Sequence, residues 1–196
     1  SPEVIFAAGD LSRQLSLEWG VTSQILKSPY RADIMLTRAK APVKKGEQSY
    51  QIEVSSKGIM VRANHATGMF YGVQTLLQLI QQAESRLIVK GMVITDWPDI
   101  TIRAVHYDTK HFQEKKEYVF NFIRTLAGYK INMLIWEWED KFVYKSHPEI
   151  GAPGAFTMEE MQEFTRFARK YHVQIVPLVQ GLGHVSYILK HTANYH

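Results

Sequence analysis

Three apolar runs in the second half of the chain, at residues 102–107, 131–138 and 173–179, each end in polar residues and are separated by amphipathic stretches. That alternation constrains the fold more than any other feature. The first spacer, KKEYVFNFIRTLAGYK, puts Val119, Phe122, Ile123 and Leu126 at helical spacing, with Gly128 as a C-terminal stop. The second opens on Thr157-Met158-Glu159-Glu160, a capping-box sequence, and places Met161, Phe164, Phe167 and Ala168 on one face. Strand, helix and strand in this order predict parallel βα units, because a parallel neighbour needs a crossover long enough to hold a helix. The run at 173–179 is almost uninterrupted, which predicts a strand covered on both faces.

The first half has a different rhythm. Residues 34–36 read as a short strand followed by a polar, turn-rich stretch at 41–49. Residues 50–54 alternate apolar and polar with period two, Lys57-Gly58 makes a tight turn, and 59–63 return as the second arm of a hairpin. Thr67 opens a helix whose stripe is Phe70, Val73, Leu76, Leu77 and Ile80. Strand material follows at 86–89 and 92–94, and Asp96-Trp97-Pro98-Asp99 marks the boundary between an α+β domain, 1–98, and a second domain, 99–196.

Composition excludes several classes. Apolar residues are 45% and charged residues 21%, as in ordinary globular domains, and no apolar run approaches the roughly 18 residues a membrane span requires. The net charge is +4, but Lys44-Lys45 and Lys115-Lys116 are isolated pairs, so no nucleic-acid partner is expected. Without cysteine there is no disulfide, thiolate metal site or cysteine nucleophile. The start, SPEVIFAAGD, has no basic segment followed by an apolar core, so no signal peptide is expected there. A trimmed, exported bacterial protein would look the same, and that localisation is weakly favoured.

Chemistry-bearing residues collect after the three runs: Asp108 with Lys110, Glu139 with Asp140, and His184 in the Gly-rich stretch VQGLGHVSY. Polar groups at the C-terminal ends of parallel strands are where α/β barrels build active sites. Asp140 and His184 are expected to pair, a carboxylate fixing the imidazole tautomer. Trp136 and Trp138, two apart, are expected to share a strand face, Trp136 in the core and Trp138 available to stack on a sugar ring. His106, Asp108 and His111 match no strong metal-ligand spacing, and neither a metal nor any other cofactor is expected.

The stretch YQIEVSSKGIMVRANHATGMFYGVQTLLQLIQQ, with its GxFYGxQTLxQL run, resembles the small α/β domain that precedes the barrel in glycoside hydrolase family 20, the β-N-acetylhexosaminidases. RAVHYDTKHF is similar to that family's first barrel strand. INMLIWEWED carries its asparagine, tryptophan and aspartate at Asn132, Trp136 and Asp140, and IVPLVQGLGH ends on its histidine at His184. The wording of VPLVQGLGHVSYILKH and WEWEDKF resembles the hexosaminidase D-like branch. The resemblance implies a non-catalytic α/β domain followed by the first three βα units of an incomplete (β/α)8 barrel, a barrel that closes with about eight strands. Truncation is therefore expected, with open strand edges that invite self-association.

Family 20 chemistry uses the substrate's own acetamide as nucleophile in a retaining hydrolysis, with an Asp-Glu pair orienting the acetamide and protonating the leaving oxygen. No Asp-Glu dipeptide occurs in these 196 residues. The resemblance thus implies a fragment without its catalytic pair and inactive alone. In it, Asp140 and His184 are supporting residues, while Lys110, Asp108 and Trp138 contact an N-acetylhexosamine-containing glycan. Three departures bear on hydroxyl recognition rather than on reaction type. Lys110 stands near the position of the family's sugar-binding arginine, Glu137 replaces a common histidine, and Leu178 and Gln180 replace acidic residues. A glycan- or protein-binding module that kept the fold is the alternative of a different class. A family 84-like glycosidase shares the α/β domain but has a different first-strand motif.

Overall fold

In a computed structural model the described residues are 1–26, 32–38 and 46–191. The Lys44-Lys45 pair, positions 41–45 of the polar stretch and His196 lie outside them. The chain divides into two compact units, Ser1–Thr101 and Ile102–His196.

The first unit begins with α1 (Pro2–Trp19), which has Pro2 in its first turn and ends where Gly20 turns left-handed and its N–H reaches the last carbonyls. Then come β1 (Ile34–Thr37), the hairpin β2 (Tyr50–Ser55) and β3 (Gly58–Ala63), α2 (Ala66–Leu79), the small ribbon β4 (Gln81–Ala83) and β5 (Arg86–Ile88), and β6 (Met92–Asp96). The main sheet has the order β1-β3-β2-β6, with β1 parallel to β3 and the other pairs antiparallel. Period two holds in β2, where Tyr50, Ile52 and Val54 are buried while Gln51 and Glu53 are less so.

Why α2 fits this sheet is legible in its glycines. A Cβ on Gly68 would stand 2.2 Å from the Ser49 carbonyl oxygen, and one on Gly72 would stand 2.6 Å from Val61 Cγ1. The two, one turn apart, let the helix lie on the sheet closer than any side chain permits. Tyr71 and Gln74 are buried. Gln74 Nε2 donates to Asp10 Oδ2 of α1 at 3.0 Å, and that carboxylate also accepts from Gln14 at 2.8 Å and Arg13 at 2.7 Å. Each polar atom of this buried carboxylate is therefore satisfied, as burial demands.

The second unit runs β7 (Ala104–Asp108), α3 (Lys116–Gly128), β8 (Met133–Glu137), two short 3₁₀ turns (Glu139–Lys141 and Pro148–Ile150), α4 (Met158–Lys170), β9 (Gln174–Leu178) and α5 (Ser186–Leu189). Its three strands are parallel in the order β7-β8-β9, as the alternation predicts. The capping box at Thr157 forms in both directions, at 3.0 and 3.2 Å. Tyr107 and Trp136 fill the helix-covered face, with the Tyr107 ring tilted against Phe122 of α3 at 4.9 Å and Trp136 lying 5.7 Å from Phe164 of α4.

The opposite face carries His106, Ile135 and Val176 in one row, then Asp108, Glu137 and Leu178 at the strand ends. On it His106 and Asp108 are exposed, Ile135, Val176 and Leu178 are half-buried, and Glu137 is buried. This corrects the expectation for the third strand. β9 is not covered on both faces, for Gln174 and Pro177 are exposed, because β9 is an edge strand with β8 as its single neighbour among the described residues. A proline there removes no ladder bond a second neighbour would need.

Candidate functional site: the strand ends of the second unit

Three segments at the C-terminal ends of β7, β8 and β9 build one polar cluster. After β7, Asp108 Oδ1 accepts the Lys110 backbone N–H at 2.8 Å, a local turn of the kind short acidic side chains make. Thr109, buried between them, donates to the Glu137 carbonyl at 2.8 Å and accepts from Trp136 Nε1 at 3.3 Å. Lys141 Nζ then takes the Lys110 carbonyl at 3.1 Å. The backbone of Lys110 is therefore fixed on both sides, and its ammonium is aimed by the scaffold.

That ammonium lies 3.6 Å from Glu137 Oε1, 3.4 Å from Glu139 Oε1 and 3.4 Å from His184 Nδ1. Glu137, 2% exposed, also accepts from Gln180 Nε2 at 2.7 Å and meets His106 Nε2 at 3.0 Å. Burial works to raise its pKa, but the Gln180 amide, His106 and Lys110 outweigh burial and hold it below the ordinary carboxylate value. Glu139 goes the other way. Burial pushes its carboxyl up, Lys110 opposes, and the charge on Glu137 adds to the rise. Its Oε1 is buried without a hydrogen bond, Lys110 standing within ion-pair range but outside hydrogen-bond geometry. For Lys110 itself desolvation favours loss of the proton, and the neighbouring Glu139 and Glu137 carboxylates override it and raise the pKa.

Backbone strain marks the same place. Glu139 has φ +42° and His184 φ +56°, a left-handed region that costs a residue with a Cβ about 1 kcal/mol. Such residues persist where surrounding contacts over-determine them, and they concentrate at functional sites. At Glu139 those contacts are visible: Tyr144 Oη donates to its carbonyl at 3.0 Å, and the Asp140 carbonyl accepts from Ala152 N at 2.7 Å. The loop after β8 is further tied by a parallel bridge between Phe142 and Phe156.

The residues expected from the sequence are distributed as follows. Lys110 and His184 meet, and Asp108 supports the turn that carries Lys110. The expected Asp140–His184 pair does not form: the Asp140 carboxylate is taken by Lys141 and by Lys190, the latter at 3.6 Å. Trp138 does not share a face with Trp136, since β8 ends at Glu137 and the chain turns at once into the 3₁₀ segment. Its ring packs 5.0 Å from Phe142, and its Nε1 is buried without a partner. Glu137, Gln180 and His106 form the rest of the cluster. The signal for Glu137 is a charged residue immediately after Trp136 on a strand otherwise apolar. Among the described residues no group of three or more His, Cys, Asp and Glu side chains is arranged to hold a metal ion. No helix there is long and apolar enough to cross a membrane.

The family described as "Glycosyl hydrolase family 20, domain 2" matches residues 2–97. A beta-hexosaminidase of Vibrio vulnificus is 25% identical over 178 residues, covering 74% of this chain and 21% of the relative. Hexosaminidase D of Bos taurus is 31% identical over 96 residues, 48% of this chain and 28% of the relative. The crystal structure of a family 20 exo-β-N-acetylglucosaminidase from Vibrio harveyi in complex with N-acetylglucosamine superposes with a TM-score of 0.86. It is 25% identical and covers 98% of this chain and 34% of that one.

The chain carries domain 2 of glycoside hydrolase family 20 in residues 2–97. It spans between a fifth and a third of the length of these relatives. Its mixed α/β fold is that of its structural neighbours in the family, and the 2–97 match falls on the unit whose helix α2 carries the two packing glycines.

Proposed function

We propose that this chain is part of an enzyme that removes terminal N-acetyl-β-hexosamine residues by substrate-assisted retaining hydrolysis. In this reading residues 1–98 are the non-catalytic α/β domain. Residues 99–196 contribute the first three βα units of a (β/α)8 barrel, and the unpaired edges of β7 and β9 are where further strands join. The observation that carries the reading is the convergence of Lys110, Glu137, Glu139 and His184 from three strand ends on one cluster, in a chain that carries domain 2 of family 20. Parallel-strand C-termini are where barrel enzymes hold substrate.

The chemistry of the cluster suits a sugar. An ammonium donates to hydroxyl oxygens and an ionised carboxylate accepts from hydroxyl hydrogens, so Lys110 and Glu137 together read one vicinal pair of hydroxyls. Trp138, next in the chain after Glu137, would offer its ring to the sugar, and Asp108 keeps the Lys110 turn in place. Asp140 and His184 support the site rather than perform the proton transfer. That step belongs to an Asp-Glu pair, and no such dipeptide occurs between Ser1 and His196.

The test is hydrolysis of an aryl N-acetyl-β-glucosaminide by two proteins, the 196-residue chain and the same chain extended by whatever its gene encodes beyond His196. The reading predicts no turnover by the first and turnover by the second, lost on Lys110→Met by about 10²-fold. Turnover by the 196-residue chain, abolished by His184→Ala, overturns it. An extended protein that binds N-acetylglucosamine but hydrolyses nothing assigns the fold to a glycan-binding module instead.

A further inference from the structure

An ammonium, not a carboxylate, faces the His184 ring, and the consequence for the ring is the reverse of what a carboxylate would impose. Lys110 Nζ stands 3.4 Å from Nδ1. An ammonium carries three hydrogens and no lone pair, so it can only donate. The amine is kept protonated by its surroundings: desolvation alone would favour losing the proton, but Glu139, Glu137 and Asp108 outweigh it. Opposite a donor, Nδ1 presents its lone pair, and the single proton of the neutral ring resides on Nε2.

The groups able to impose the other tautomer are engaged elsewhere. Asp140 is held by Lys141 and Lys190. Glu137 is occupied by Gln180 and His106, and Glu139 faces the same ammonium. We propose that Lys110 is a positioning residue that locks His184 in the Nε2–H tautomer, so that His184 offers a bound ligand an N–H donor and has no free lone pair to act as a base. The left-handed backbone at His184 and the fixed backbone of Lys110 keep the two side chains in register. The partner chemistry that fits is an acceptor oxygen, a sugar hydroxyl or an acetamide carbonyl. The ligand half of the inference rests on the sugar-site reading above, and the tautomer half does not.

A long-range ¹H–¹⁵N correlation spectrum of the ¹⁵N-labelled chain tests it, recorded near pH 8.5, about two units above the ordinary imidazole value. Comparison with His184→Gln identifies the His184 signals among the eight histidines. The wild-type chain is expected to show Nδ1 as an unprotonated nitrogen and Nε2 as a protonated one. Lys110→Met is expected to give the averaged signals of two exchanging tautomers, and Lys110→Arg to restore the single form. A protonated Nδ1 in the wild type, or identical signals in wild type and Lys110→Met, overturns the proposal. Should Lys110→Met not fold, the wild-type spectrum decides alone by the state of Nδ1. Adding N-acetylglucosamine to the same sample probes the site reading separately: a change at Nε2 supports ligand contact, and its absence counts against the ligand half while leaving the tautomer result intact.

Discussion

In the Ser1–Thr101 unit the buried carboxylate of Asp10 meets a guanidinium and two side-chain amides, all at hydrogen-bond distance. In the Ile102–His196 unit two buried carboxylates, Glu137 and Glu139, share one ammonium at 3.4 to 3.6 Å, and one of their oxygens has no hydrogen bond at all. The first arrangement is what packing requires when a charge is enclosed, and it leaves nothing over for a ligand. The second leaves acceptor capacity unspent at Glu139 Oε1, beside two backbone positions in the left-handed region. Binding sites are built from such unspent capacity. The contrast supports the proposal that the Ile102–His196 unit, rather than the Ser1–Thr101 unit, holds the site.

The largest effect should come from breaking the core under the cluster. Trp136→Ala empties a fully buried position and should cost about 3–5 kcal/mol in denaturant unfolding of the Ile102–His196 unit. Amide exchange in the other unit should be unchanged if the two fold on separate cores. The matching break in the first unit is Gly68→Ala, whose Cβ meets a backbone oxygen rather than a flexible side chain. It should cost up to about 3 kcal/mol, read as a lowered urea midpoint. Next is Asp10→Ala, which removes the buried acceptor of Gln74 Nε2 and should cost about 1–3 kcal/mol, with no effect on sugar binding.

The smallest effects are the most diagnostic, because their signs differ. Glu137 has a depressed pKa, so it stabilises the fold above the ordinary carboxylate value, and that contribution fades as pH falls through its folded pKa. Glu139 has a raised pKa, so stability falls as pH rises from the ordinary value through the folded one, and at neutral pH its charge is a burden. At pH 7, Glu137→Gln should destabilise and Glu139→Gln should stabilise, each by about 1 kcal/mol. Chemical denaturation repeated at acid pH should show the two differences shrinking together. Equal signs at pH 7 would remove the basis for treating the two glutamates as distinct.

Periodicity made much of this fold readable. The 50–63 hairpin, the α2 stripe and the three parallel strands follow from periods of two and 3.6, which depend on residues near one another in the chain. The Asp10–Gln74 link spans 64 positions, and nothing local in either residue announces the other. The same limit explains the Asp140–His184 expectation. Both residues lie near the right strand ends, but Asp140 sits in a 3₁₀ turn beside Lys141, and that neighbour reaches its carboxylate first. Glu137 reads in the sequence only as a replacement for a common histidine, because its companions His106, Lys110 and Gln180 come from two other segments. The continuous apolar run of β9 predicted two covered faces, while its exposed proline and single neighbour make it an edge.

We propose that the strand ends of the second unit, and not the first unit, hold an N-acetylhexosamine. Titrating the ¹⁵N-labelled chain with N-acetylglucosamine, and with glucose as control, measures this most directly. The prediction is amide shifts at Asp108–Lys110, Glu137–Asp140 and Gln180–His184 for the acetamido sugar, weaker for glucose, with Gly68–Leu77 unmoved. An unchanged spectrum, or shifts confined to Ser1–Thr101, contradicts it.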